Sequence, residues 1–149
     1  MMRIQAAKES LYATLRDRLQ VINPGRIAKL GGTTRIAIAM ETMCTSEAEK
    51  SVPGVFYLGF SGVETVPEMG ASGGVLLRLH CAVHYSDESE RAISEMDEEL
   101  MKATMPTSTA LMDWSTAPPV RMGDRIFWTM PKITGAGQRT AEMALFVRI

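Results

Sequence analysis

Between Val75 and Met101 the chain passes from a strand pattern to a helix pattern with almost no loop between them. Val75, Leu77, Leu79, Cys81, Val83 and Tyr85 occupy the odd positions, while Arg78, His80 and His84 fall on even ones. Such alternation buries one face of a strand. The period then becomes 3.6: Ile93, Met96 and Leu100 form one stripe with acids around it. A strand running straight into an amphipathic helix requires mixed α and β structure. It carries no chemistry of its own.

The remaining elements follow the same two periods. Ala7, Leu11, Leu15 and Leu19 recur at spacing four and predict a helix over 4–20, ended by Asn23-Pro24-Gly25. Gly31-Gly32 marks a turn. A strand is expected at 35–41, with Ile36, Ile38 and Met40 on one face. A second is expected at 55–60, apolar on both faces and so central in a sheet. The stretch 45–54 is polar and ends in Pro53-Gly54, so it reads as a loop. The stretch 61–74 contains Gly62, Pro67, Gly70, Gly73 and Gly74 and reads as a long connection, of a length usually tied to binding or assembly. The strand at 75–85 then leads to a helix starting at Asp87, with Glu90 completing a capping box, and stopping before Pro106. Short strands are expected at 110–114 and 125–130, with turns at Pro118-Pro119 and at 134–137. In the last strand Ala141, Met143, Leu145, Val147 and Ile149 alternate with Thr140, Glu142, Phe146 and Arg148. At a sheet edge that strand would offer free amides and carbonyls to another chain, which motivates an oligomer.

The expectation is one α+β domain over 1–149, with the order α-β-β-β-α-β-β-β. A mainly antiparallel mixed sheet of five to six strands carries both helices on one face. A chain of 149 residues buries roughly 70% of its unfolded surface and needs no staple. Cys44 and Cys81 make no disulfide framework: Cys81 reads as a core residue, and a reducing compartment suits both. The N-terminal 19 residues carry charges every few positions and read as neither signal peptide nor membrane span.

Net charge is −1, so broad attraction to nucleic acid or anionic lipid is not expected. The charge is unevenly placed, however. From Asp87 to Lys102 there are seven acids and two bases, leaving a balance of +4 for the rest. The acids read as a solvated helix face, or as a surface for a second copy.

No pattern rises to a catalytic or metal motif. His80 and His84 lie four apart in a strand, about 13 Å at ~3.3 Å per residue, too far for one metal. They read as polar-face residues. Adjacent helical residues in Asp97-Glu98-Glu99 point in different directions and no calcium-loop glycine accompanies them. The glycines at 70–74 precede a strand, not the helix N-terminus a phosphate cradle needs. No G-x-S-x-G or nucleophile–base pair is present. Enzyme activity, a cofactor and a metal are therefore not expected. Met40, Met96, Met130 and Met143 fall on apolar faces and read as core, whereas Met69 lies in the long connection, where a flexible apolar side chain suits a partner's groove.

Three stretches, 9–26 (ESLYATLRDRLQVINPGR), 80–106 (HCAVHYSDESERAISEMDEELMKATMP) and 125–131 (RIFWTMP), together resemble the tail terminator, or tail-completion, proteins of tailed bacteriophages. The likeness is to an overall plan covering most of the chain. It implies a homo-oligomeric ring, typically of six copies, in the tail and neck of the virion and assembled in the bacterial cytoplasm. The ring would cap the head-proximal end of the tail tube, stop its polymerisation and join tail to neck. The implied partners are further copies, the tail tube protein, a neck or connector protein and, in a contractile tail, the sheath. Membrane and sequence-specific nucleic acid are not among them. The family has no catalytic residues to transfer, so its binding surfaces map to loops and edges. Here these are Val63, Glu64, Val66, Glu68 and Met69 in the 62–74 connection, Glu47, Glu49 and Lys50 in the 45–54 loop, and Glu95, Glu98 and Glu99 on the acidic helix. Deleting 63–72 is expected to spare folding and impair assembly. A different neck component (adaptor or stopper) and a cytoplasmic ligand-binding or enzyme domain stay open beside it.

Overall fold

A computed structural model describes residues 3–44, 46, 48–65, 75–108, 111–113, 120–123 and 132–149, with backbone only at 48–49, 105–108, 111–113 and 120–123. In chain order the elements are α1 (Arg3–Ile22), β1 (Ile27–Leu30), β2 (Thr33–Ile36), β3 (Ile38–Met40), β4 (Phe56–Thr65), β5 (Leu76–Ser86), α2 (Glu90–Ser108), β6 (Leu111–Asp113), β7 (Val120–Gly123), β8 (Lys132–Gly135) and β9 (Gln138–Arg148). Two short 3-10 turns, Glu41–Met43 and Ala48–Ser51, separate β3 from β4.

The class is α+β, as expected: two helices pack on one face of a mostly antiparallel sheet. The main sheet runs β3-β4-β5-β9-β6-β7, with β8 also paired to β9, and β1-β2 form a separate two-stranded sheet. There are thus more strands than the five to six expected. Ala7, Leu11, Leu15 and Leu19 of α1 and Ile93, Met96, Leu100 and Ala103 of α2 meet Phe56, Leu58, Leu79, Cys81, Val83 and Leu145 in one core. A smaller cluster on the other face, Leu30, Ala37, Ala39, Val55 and Tyr57, explains why β4 is apolar on both sides at its start. That strand is internal there, between β3 and β5.

Several boundaries differ from the sequence expectation. The β1 strand was not expected; it closes a hairpin on β2 through Gly31 and Gly32, whose φ values of 58° and 81° suit the hairpin turn that needs two left-handed residues. The expected strand at 35–41 is divided at Ala37, whose amide bonds the Arg26 carbonyl while its own carbonyl accepts from Phe56. The second strand does not stop at Phe60. It continues through Ser61–Thr65, past a register shift between Phe60 and Gly62, because β5 extends alongside it. The second helix is capped by Ser89, whose Oγ accepts the Ala92 amide at 3.1 Å, and not by Asp87, whose carboxylate takes the Glu88 amide. It runs through Pro106 to Ser108, since a proline in the last turn forfeits a single bond to the carbonyl four residues back. The last strand is not at an edge. It lies between β5, which pairs along its whole length, and, on the other side, β8 at Gln138–Thr140 and β6 at Phe146. The expected strand at 125–130, the Pro118-Pro119 turn and Met130 lie outside the described residues.

Candidate assembly surface

The acidic helix has two different sides. Glu95 and Glu98 are exposed and pair along the helix with Arg91 and Lys102, at 3.7 and 3.4 Å. Such pairs contribute a few tenths of a kcal/mol. Asp97 and Glu99, by contrast, turn inward. Glu99 is 7% exposed and binds Arg26 through two bonds, of 2.8 and 2.5 Å. Hydrogen bonding to Glu99 holds the Arg26 guanidinium above its ordinary range, overcoming the opposing effect of burial, with further help from the charges of Glu99, Asp87 and Glu95. Asp97 accepts from the Tyr85 hydroxyl at 2.5 Å and from Arg139 at 3.2 Å, and Arg139 also reaches Glu90 at 3.1 Å. These acids fasten α2 to the residue just before β1 and to β5 and β9, so the excess negative charge of the helix is consumed in part by the chain's own arginines. Glu99 is therefore removed from the surface set, and the solvated-face expectation holds for Glu95 and Glu98 but not for Asp97 or Glu99. Spacing carried the signal: Glu99 follows Met96 by three and precedes Ala103 by four, on the buried stripe.

Burial, followed by the bond to Asp97, pushes the Tyr85 hydroxyl well above the usual tyrosine value of about 10. The folded chain keeps that proton where the unfolded chain releases it. Stability is therefore fully present below pH ~10 and falls as the pH rises past it. Burial acts in the same direction on the Cys81 thiol. Tyr85→Phe should flatten the loss of stability between pH 10 and 12 in denaturant melts, each protein referred to its own value at pH 8. An unchanged slope would contradict this role.

Val63 and Glu64 are in strand, not loop, where β4 and β5 run on together. The outer edge of β4 is covered by β3 only at Phe56–Leu58. From Gly59 onward β4 has one strand neighbour among the described residues, and Ser61–Thr65 are exposed. Val63 is 52% exposed and borders an open groove of about 300 Å³ formed with Ile4, Lys8, Phe60 and Leu79. On the opposite face Glu64 accepts from Arg78 at 2.8 Å and faces His80 at 3.1 Å. Its carboxyl lies below the usual carboxylate range, through the bond to His80 first and Arg78 second. His84 faces a different partner, Thr140, at 2.9 Å, so the two histidines share no ligand position. Because Val63–Thr65 pair with β5, deleting 63–72 would remove the end of the β4–β5 pairing as well as the connection.

Lys50 is exposed and lines a pocket of about 190 Å³ with Tyr57, His84 and Gln138. Glu49 lies in the second 3-10 turn, where only backbone is described. Glu47, Val66, Glu68 and Met69 lie outside the described residues. The structure thus brings Val63 and Glu64 together on β4 but places Lys50 and the α2 acids elsewhere. One surface feature was not expected: β8 pairs with β9 on one side only among the described residues, and its Ile133 is 75% exposed beside exposed Lys132. The alternation Lys132-Ile133-Thr134 was the available signal. Among the described residues no helix is long and apolar enough to cross a membrane, and no group of three potential ligands could hold a metal. No protein-family model matches this chain, and no curated protein matches it either.

Proposed function

We propose that this chain is a structural subunit of a phage tail, one copy of a terminator ring that caps the head-proximal end of the tail tube and joins it to the neck. The observation that carries this reading is the pair of unlike sheet edges. The edge of β4 beyond Leu58 and the edge of β8, which pairs with β9 beside the β6–β7 branch, lie on opposite sides of the β5–β9 pair. A subunit with two different edges joins its neighbours head to tail, and head-to-tail joining closes into a ring when the rotation per copy divides a full turn. The buried Arg26–Glu99 and Arg139–Asp97 pairs support the same reading. They hold α2 on one face of the sheet and leave its edges and β4–β5 extension to contact partners. The sequence resemblance supplies the place of that ring in the particle. Imaging of whole particles tests it: a layer of this protein is expected between tube and neck, and a layer against the portal would assign it to a connector instead.

A further inference from the structure

We propose that neighbouring copies pair β4 with β8, antiparallel, in the register that sets Val63 opposite the partner's Ile133 and Glu64 opposite the partner's Lys132. This contact deepens the ring assembly proposed above and rests on it. Free edge amides and carbonyls are satisfied by another strand, and both edges present them among the described residues.

The faces agree without adjustment. Directly opposite residues in an antiparallel pair share a face. Val63 is opposite Leu79, a member of the helix-side core; Ile133 is opposite Arg139, whose guanidinium reaches Asp97 and Glu90 of α2. Val63 and Ile133 therefore both face the helix side, where they are 52% and 75% exposed in the single chain. Glu64 and Lys132 both face the other side, and they carry opposite charge. The proposed register buries the two apolar side chains against each other and sets the acid across from the base. A slip of one residue would set Val63 against Lys132 or Thr134 and lose both matches.

The directions agree as well. Since β4, β5, β9 and β8 are successively antiparallel, β8 runs opposite to β4. A neighbour in the same orientation then offers β8 antiparallel to β4, with its helices on the same side. The remaining condition is stagger. Ile133 is level with Arg139 and Tyr85, whereas Val63 is level with Leu79, six positions along β5. That is about 20 Å at ~3.3 Å per residue, and four strands at ~4.8 Å span about 19 Å across. Strands tilted by about 45° absorb the offset and keep every copy at one height, a tilt close to the 35–45° typical of closed sheets.

Both central residues are exposed, so the test spares the core. In a Cys44→Ser background, Val63→Cys and Ile133→Cys chains are mixed and treated with a short thiol cross-linker at high protein concentration. A covalent dimer is expected from the mixture and from neither chain alone, and a ladder from the chain carrying both changes. Glu64→Lys and Lys132→Glu should each lower the yield several-fold, and a mixture joining the two reversed edges should recover it. Cross-linking of Val63→Cys to itself overturns the contact. So does no cross-link while the unmodified chain still forms a multimer by native mass measurement. A chain that is monomeric at every concentration and forms no ring in particles overturns the ring assembly with it.

Discussion

Phe56→Ala is expected to lower the unfolding free energy by about 3–5 kcal/mol, the usual cost of emptying a buried aromatic site. Phe56 has no exposed surface and stands at the first position of β4, between β3 and β5. Its ring meets Tyr85 edge-on with centroids 5.0 Å apart, and the Arg26 guanidinium lies 5.9 Å from its centroid. Tyr85 and the salt-bridged arginine are held by their own bonds to Asp97 and Glu99, which limits how far this end of the core can close over the space. Since a domain of this size is stable by only about 5–15 kcal/mol, the variant should show a large fall in its denaturant midpoint. A loss below about 1 kcal/mol would mean that the site repacks and that this end of the core is less tightly built than the geometry requires.

The second large effect is expected at the buried ion pair. Arg26→Met leaves Glu99 charged in a site where its side chain is 10% exposed, with both guanidinium bonds removed. Breaking one partner of such a pair typically costs about 3–5 kcal/mol, whereas replacing both by apolar groups is close to neutral. Arg26→Met should therefore be strongly destabilising, and the double change Arg26→Met with Glu99→Leu should recover most of the loss. The guanidinium also covers Phe56, so the Arg26 and Phe56 effects should be non-additive in a double-mutant cycle. If Arg26→Met were neutral in chemical denaturation, the acids of α2 would not be fastening the helix to the sheet.

How far the chain could be read without coordinates depends on which neighbours each residue has. Stripes such as Leu11, Leu15 and Leu19, or Leu77, Leu79 and Cys81, declare their buried faces locally because the core lies on one side of each element. The extension of β4 through Ser61–Thr65 does not. Apart from Val63 those residues are polar or glycine, and strand is imposed by the 11-residue length of β5 beside them. The edge status of β8 and the internal place of β9 are set by strand order, which no local pattern encodes. Glu99 was the instructive miss: acidity argued for solvent, whereas its spacing from Met96 argued for the core, and a distant arginine let spacing prevail. Of the surface residues suggested by resemblance, Val63 and Glu64 lie on β4 beyond its pairing with β3, a place that strand order sets and no local pattern declares.

The decisive measurement is the position of this protein in an assembled particle. A dense tag fused at the chain's C-terminus, imaged in whole virions, should appear as a single ring of several copies at the junction of tail tube and neck, with no density along the tube. Tag density along the whole tube, at the portal, or absent from purified particles would contradict a terminator ring.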